Sequence, residues 1–431
     1  MKIALKNINK IKEGSISLNG LTVLTGVNDS GKSTVGKMLF ALVKAFNNTK
    51  HFNENAKRRE ITRLANTLYR YFYMAELNMS NLPIPKENKD FIQNLCNFDE
   101  DAVAYIQYVE ESLKTVEIMP RYKAIILRYI DNIRELLINS MNPERLFMKE
   151  MSSSLKAEFK SNVTTYGADI SEVTFYDNDK TDPLHIVIKD NIVLEMSPLK
   201  MEGISIEDAT LVESPLYLQM IDTLTQARTF KDSSNSSRAT GFRSSYINYH
   251  SQDMAQKLDS IKVVDTRSMF LKKLEVSDVT GGKFVYDNSK RALFWVKNGK
   301  EFSPVNVASG IKTFGVIQLL LETDSINENN ILIWDEPENH LHPEWQLSFA
   351  RLLVELAQKG IPILLSTHSP YFIQAIRFFS HRTPLQDYVK FYMAEEQSDS
   401  LSVIEDVSND LNRVFAKLAA PMNGIINLPE E

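Results

Sequence analysis

The sequence predicts an α/β fold, and three stretches predict it. Residues 26–33 read Gly-Val-Asn-Asp-Ser-Gly-Lys-Ser, a complete G-x-x-x-x-G-K-S loop. An apolar, β-branched run, Leu21–Thr25, precedes it, and a helical pattern, Thr34–Val43, follows. Residues 331–336, Ile-Leu-Ile-Trp-Asp-Glu, are four apolar residues closed by two carboxylates. Residues 361–368 are a second apolar run that becomes polar and ends in His368. Short apolar runs bounded by turn or polar residues read as buried strands of a parallel sheet, whose C-terminal edge is where ligands bind.

Along the chain, the first 25 residues read as short strands with a turn at Lys12-Glu13-Gly14. From about Asn48 to Asn162 the pattern is helical, with boundaries at Pro83, Pro85, Pro120 and Pro143. Arg58–Leu77 and Tyr122–Ile138 carry apolar residues at helical spacing. From Glu172 the period becomes two: 173–176, 184–188 and 192–196, separated by Asp, Asn and Lys, predict an antiparallel meander. Ala209–Val212 is a further strand that ends at Glu213-Ser214-Pro215. Residues 231–251 are rich in Ser and Asn and read as a solvated loop; Arg238 and Arg243 within it have phosphate contact as their alternative role. Lys283–Tyr286 and Leu293–Val296 predict two more strands.

The loop at 26–33 supplies the chemistry for a triphosphate. Its glycines let backbone N–H groups of Asn28, Asp29, Ser30 and Gly31 wrap phosphate oxygens, and the following helix adds its positive N-terminus. Lys32 reaches the β- and γ-phosphates, Thr34 lies in the first helical turn, and the Ser33 hydroxyl is placed to ligate Mg²⁺. Asp335 is the second expected Mg²⁺ residue, and Glu336 is placed to polarise the attacking water. His368 repeats the register of Asp335-Glu336, which favours a γ-phosphate sensor over a structural histidine. Ser309-Gly310, opening an apolar helix pattern over Phe314–Leu321, is either a second anion site or a simple N-cap. His340 and His342 have no third ligand in sequence, which argues against a metal there.

Composition narrows the class. The 431 residues are 43% hydrophobic and 24% charged, ordinary for a globular protein large enough for two or three lobes. A net charge of −6 provides no global basic field for nonspecific nucleic-acid binding. Cys96 is the single cysteine, so an intramolecular disulfide and a Cys-based metal cluster are excluded, and its apolar neighbours read as core. The N-terminus has no apolar signal run and no stretch is long and apolar enough to span a membrane, so the expectation is a cytoplasmic protein.

In order, the phosphate loop Gly26–Ser33, Ser309-Gly310, Asp335-Glu336 and His368 resemble the phosphate loop, signature, Walker B and switch histidine of ABC-type ATPases of the RecF, SMC and OLD-like branch. Glu213-Ser214-Pro215, Ala308–Lys312 and Asp335–Gln346 further resemble the ATPase subunit of Septu and retron-type antiphage systems (PtuA-like). The resemblance implies a P-loop NTPase head of the ABC type: a mixed β-sheet flanked by helices, an antiparallel β subdomain, and a helical insertion. The implied layout is an N-terminal ATPase part at 1–47, the insertion at 48–162, a β subdomain at 163–220, a helical and Ser-rich insertion at 221–262, and a C-terminal ATPase part at 263–431.

It also implies ATP and Mg²⁺ as cofactors and a homodimer or higher assembly. Ser309, Gly310 and Lys312 of one copy would meet the γ-phosphate held by the other. The signature reads Ala-Ser-Gly-Ile-Lys where transporters have Leu-Ser-Gly-Gly-Gln, as in the OLD-like branch. The usual Q-loop glutamine is not evident: Glu213 ends the strand and Gln219 is a candidate. OLD-like nucleases add a C-terminal nuclease domain, and Tyr371–Glu431 is too short for one. The expected function is therefore an ATPase switch that regulates a separate effector, a nuclease encoded nearby, in antiphage defence. The alternative is a RecF-like DNA-binding repair ATPase, with Lys57, Arg58, Arg59, Arg238 and Arg243 as the residues facing nucleic acid. A third reading is a scaffold that binds ATP without turning it over.

Overall fold

The computed structural model describes residues 1–77, 82–96, 100–116, 118–138, 143–160, 162–177, 182–197, 205–221, 223–224, 247–262, 279–384 and 386–426. The chain opens with β1 (Lys2–Ile8), β2 (Ile11–Ser17) and β3 (Leu21–Thr25), followed by α1 (Lys32–Met74). Then come α2 (Asn88–Leu95), α3 (Glu100–Leu113), α4 (Pro120–Ile138) and α5 (Pro143–Phe159). Strands β4 (Ser171–Tyr176), β5 (Leu184–Lys189), β6 (Ile192–Met196) and β7 (Asp208–Val212) precede α6 (Tyr249–Asp259). A small hairpin region holds β8 (Lys283–Asp287), β9 (Ala292–Lys297) and β10 (Lys300–Phe302). The chain continues through α7 (Ser309–Glu322), β11 (Asn330–Asp335), α8 (Pro343–Gln358), β12 (Ile363–Thr367) and α9 (Pro370–Ser380). It closes with β13 (Val389–Glu396), β14 (Ser402–Asp406) and α10 (Leu411–Ile426).

Two compact units result: Met1–Phe46 with Met148–Glu431, and Asn47–Phe147. In the first, eleven described strands form one mixed sheet in the order β6-β5-β4-β1-β2-β14-β13-β3-β12-β11-β7. Strands β7, β11, β12, β3 and β13 run parallel. Every residue of β3 and β12 is buried, as expected for strands covered on both faces. One face, with Val23, Leu332, Trp334, Leu365 and Phe391, packs into the core that holds Phe314, Phe349 and Phe372 of α7, α8 and α9. The other face meets α1 at Gly36, where a Cβ would lie 3.0 Å from Ile333 Cγ2. The result is a large mixed sheet between helices, extended by the antiparallel strands β1, β2, β4, β5 and β6. Strands β8–β10 form a separate antiparallel sheet.

The first hairpin departs from the expected turn. Ile8 pairs with Ile11 across Asn9-Lys10, and Lys12-Glu13-Gly14 lie inside β2. Asn9, at φ 50°, supplies the left-handed turn residue. Gly14 serves a different purpose: a Cβ there would lie 2.5 Å from Ile404 Cβ of the neighbouring β14. Strands β13 and β14 are themselves additions to the sequence reading; they insert between β3 and β2.

The second unit is helical. Ile61, Leu64, Ala65, Leu68 and Phe72 line one face of α1 and bury against Phe91, Ile106, Ile130 and Ile133 of α2, α3 and α4. Cys96 is buried in the same core. The Tyr69 hydroxyl donates to the carbonyls of Pro85 at 2.8 Å and Lys86 at 2.7 Å, satisfying a bend too short of regular structure to satisfy itself. From Met148 the chain belongs to the first unit, where the Ser152 hydroxyl accepts from Val193 N at 2.9 Å. Residues 231–246 of the expected Ser-rich loop, with Arg238 and Arg243, lie outside the described residues; 249–251 form the first turn of α6.

Candidate active site

The phosphate loop joins β3 to α1 through backbone that its sequence permits. Gly26 has φ +153°, and a Cβ there would lie 2.6 Å from Ala394 O and 2.8 Å from Ser30 Oγ. Gly31 has φ +86°. Between them Asp29 also takes a left-handed conformation, at φ 62°, and its carboxylate pairs with Lys10 at 3.1 Å. Thr34 N donates to Gly31 O at 3.1 Å, closing the turn into the helix. Lys32 is buried and folds back over the loop: Nζ donates to Gly26 O at 3.1 Å and Val27 O at 2.8 Å. Ser30 Oγ is buried and, among the described residues, has no hydrogen-bond partner. Asn28, Asp29 and Ser33 are exposed. Burial lowers the pKa of Lys32, against the opposing pull of Glu336, Asp335 and Glu338. An anion arriving at the loop would offset the burial that disfavours this charge.

The carboxylates arrive from the adjacent strands. Asp335 of β11 is in register with Ser366 of β12, and the Ser366 hydroxyl donates to Asp335 Oδ1. Burial raises the pKa of Asp335, while hydrogen bonds from Ser366 and Ser33 lower it in part. Glu336 turns away from the strand at φ 48°, with its N–H donating to Ser366 O at 3.0 Å. Its two oxygens are held separately: Asn339 Nδ2 donates to Oε2 at 2.8 Å, and His368 Nδ1 lies 3.0 Å from Oε1. Burial opposes ionisation of Glu336, but Asn339, His368 and Lys32 together hold its pKa below the usual value. A carboxylate only accepts, so this contact assigns the Nδ1 proton to His368.

Glu338 completes the group, and sequence reading gave it no role. It is buried, and its Oε1 accepts from Thr367 Oγ1 at 2.5 Å and from His368 N at 3.2 Å. It therefore fixes the backbone that presents His368. Burial raises its pKa, and among the described residues its Oε2 has no hydrogen-bond partner. Its signal was present in Asp-Glu-Pro-Glu, but which of three clustered acids faces solvent depends on the chain turn at Glu336.

Lys32, Ser33, Glu213, Asp335 and Ser366 line one small cavity between α1 and the sheet edge. Among the described residues no three His, Cys, Asp or Glu side chains are grouped to hold a metal by themselves. One hydroxyl and one carboxylate beside a phosphate loop suit Mg²⁺, which takes few protein ligands and completes its shell with phosphate oxygens and water. The donor set thus fits a Mg²⁺–nucleoside triphosphate.

The segment expected to serve as a signature, Ala308–Lys312, sits elsewhere. Ser309 opens α7, but the N-cap is Ala308 with no side-chain hydrogen bond, so the Ser309 hydroxyl is not the cap. A Cβ on Gly310 would lie 3.1 Å from His340 O and from the Trp345 ring. Lys312 is buried, and its Nζ donates to Gln219 Oε1 at 2.5 Å. Among the described residues no hydrogen bond or ion pair joins Ser309, Gly310 or Lys312 to residues 26–34. His342 caps α8, its Nδ1 accepting from Glu344 N at 3.4 Å. Of the basic residues expected to face nucleic acid, Arg58 and Arg59 are exposed, whereas Lys57 Nζ donates to Leu137 O at 3.2 Å.

Residues 216–374 match the family described as "AAA domain, putative AbiEii toxin, Type IV TA system". "Retron Vc95 probable ATPase" of Vibrio cholerae is 29% identical over 134 residues, 27% of this chain and 26% of that one. "OLD nuclease" of Thermus scotoductus is 39% identical over 80 residues, 17% of this chain and 15% of that one. "Protein ea59" of Escherichia phage lambda is 31% identical over 106 residues, 24% and 18% respectively. Among solved structures, the SMC head domain from Thermotoga maritima aligns over 94% of this chain and 98% of its own, at 12% identity and a TM-score of 0.37. The chain spans about a quarter or less of the length of these curated relatives.

Proposed function

We propose that this protein binds ATP with Mg²⁺, hydrolyses it, and pairs with a second copy around the nucleotide. We further propose that the ATP-bound pair governs a separate effector, a nuclease, in antiphage defence. The observation that carries the ATPase reading is the meeting of Lys32, Ser33, Asp335, Glu336 and His368 at one edge of parallel strands. The similarity to a retron ATPase and an OLD nuclease supports the defence setting.

In this account the Lys32 ammonium exchanges the carbonyls of Gly26 and Val27 for phosphate oxygens. Ser33 and Asp335 hold Mg²⁺, which supplies charge neutralisation on the phosphates. Glu336, kept ionised and oriented by Asn339 and His368, polarises the attacking water and takes up its proton. The hydrogen bond from His368 fixes the carboxylate and lets the ring follow the state of the γ-phosphate. Ser309, Gly310 and Lys312 contact the nucleotide held by the second copy, with Lys312 leaving Gln219 to do so.

Phosphate release tests the hydrolytic step. The wild type should turn over, Lys32→Ala should lose nucleotide binding, and Glu336→Gln should bind nucleotide with turnover reduced about 10²- to 10⁴-fold. Equal phosphate release from wild type and Glu336→Gln would leave a nucleotide-binding scaffold in its place. Copurification with the products of neighbouring genes tests the effector.

A further inference from the structure

A chain of charges, buried at its far end, leads away from the site through residues that the proposed chemistry leaves unused. Glu213 follows β7, and because Val212 pairs with Trp334, it stands level with Asp335 at the sheet edge. One of its oxygens is 2.7 Å from Lys37 Nζ, one turn after Ser33 on α1. The other is 3.0 Å from His250 Nε2, a charge contact rather than an aligned hydrogen bond. The opposite side of the His250 ring is fixed: Nδ1 lies 2.6 Å from Glu158 Oε1, and its backbone N–H donates to Glu158 Oε2 at 3.2 Å. Glu158 and His250 have side-chain exposures of 0% and 1%. The edge of the imidazole also packs near Phe40 of α1, with ring centroids 6.3 Å apart.

We propose that His250, clamped by Glu158, is a positioning residue that aims Glu213 into the phosphate and cation cavity. It thereby links α6 to the way the site holds its nucleotide. The geometry leaves Glu213 two partners, one on α1 and one on α6, so its carboxylate direction depends on where α6 sits. The clamp also holds its charges: His250 is raised to about 9 by its two carboxylates despite burial. Glu213 is held down to about 2, against burial, by His250 and Lys37. A neutral histidine in a core has no need of two carboxylates, one of them fully buried.

The inference rests on the nucleotide site proposed above, so the test separates the two. Removing His250 alone leaves Glu158 buried and unpaired, which threatens folding. The double variant Glu158→Met with His250→Leu replaces the pair with apolar groups and keeps the volume filled. Binding of a fluorescent ATP analogue is measured with and without Mg²⁺ in the wild type, Lys32→Ala and the double variant. We expect Mg²⁺-free binding of the double variant to stay near wild type, while the Mg²⁺-dependent tightening falls by about tenfold or more, as for loss of a residue that orients a metal ligand. A Mg²⁺ response equal to wild type in the double variant overturns the role of His250 and leaves the nucleotide site standing. Failure of the wild type to bind the analogue better than Lys32→Ala overturns the nucleotide site and this inference with it.

Discussion

At the scale of single residues, three acids in four positions are separated by their surroundings. Asp335 is half-buried beside hydroxyls, Glu336 is turned outward by its left-handed backbone onto Asn339 and His368, and Glu338 is buried beneath the His368 backbone. Burial raises the pKa of Asp335 and Glu338, whereas the partners of Glu336 lower its pKa. That ordering suits a base at 336 and a structural acceptor at 338. Glu338→Ala should therefore destabilise by about 1–3 kcal/mol in urea unfolding, because the Thr367 hydroxyl and His368 N–H lose a buried acceptor. Glu338→Gln retains one acceptor oxygen and should recover most of that loss. Equal stability of Glu338→Ala and wild type would contradict the assignment. The sequence made the phosphate loop and the Asp-Glu pair legible because each lies in a contiguous motif. Glu338, Ser366 and His250 were not legible as partners, because each gains its role from a contact 29 to 92 positions away.

At the scale of elements, α6 is held by a second cluster beyond His250. Lys44 of α1 reaches Asp208 at 2.5 Å and Asp253 at 2.6 Å, and Lys257 of α6 reaches the same two acids at 2.9 and 3.0 Å. Two cations and two anions alternate, so burial is offset by opposite neighbours on each side. Lys44→Met leaves Lys257 as the one strong cationic partner of two buried carboxylates and should cost about 3–5 kcal/mol, read from the unfolding midpoint. Little change would show that the cluster is wet and weakly coupled. Strands β3, β11 and β12 were readable because burial on both faces demands continuous apolar runs. The turn at Lys12–Gly14 was misread because Gly14 looks like a turn residue but is present to admit Ile404. Strands β13 and β14 escaped notice because their place, between β3 and β2, is set by pairing across most of the chain length.

For the whole molecule, the clamp predicts a pH signature. The pKa of His250 is raised from 6.5 to about 9, so its stabilisation is complete below the unfolded value and is lost as pH rises through about 9. That of Glu213 is lowered from 4.5 to about 2, so its share is complete above the unfolded value and is lost as pH falls towards about 2. Among the described residues, Lys37, Glu158, Tyr217 and Asp335 are further titratable groups that face the pair. Stability at pH 6 should exceed that at pH 9.5 by up to about 3 kcal/mol, and the double variant at Glu158 and His250 should lack most of that difference. The sequence could show the loop and the carboxylates, but the place of Ser309, Gly310 and Lys312 required the fold. Gly310 and Lys312 lie against Gln219, His340 and Trp345, away from residues 26–34. In the pairing proposed above, ATP held between two copies would give that segment its partner. Light scattering of Glu336→Gln with Mg²⁺ and ATP tests this most directly. The account predicts a mass that doubles on adding ATP and returns to that of one chain without it, and a Glu336→Gln protein that binds ATP yet stays a single chain would contradict it.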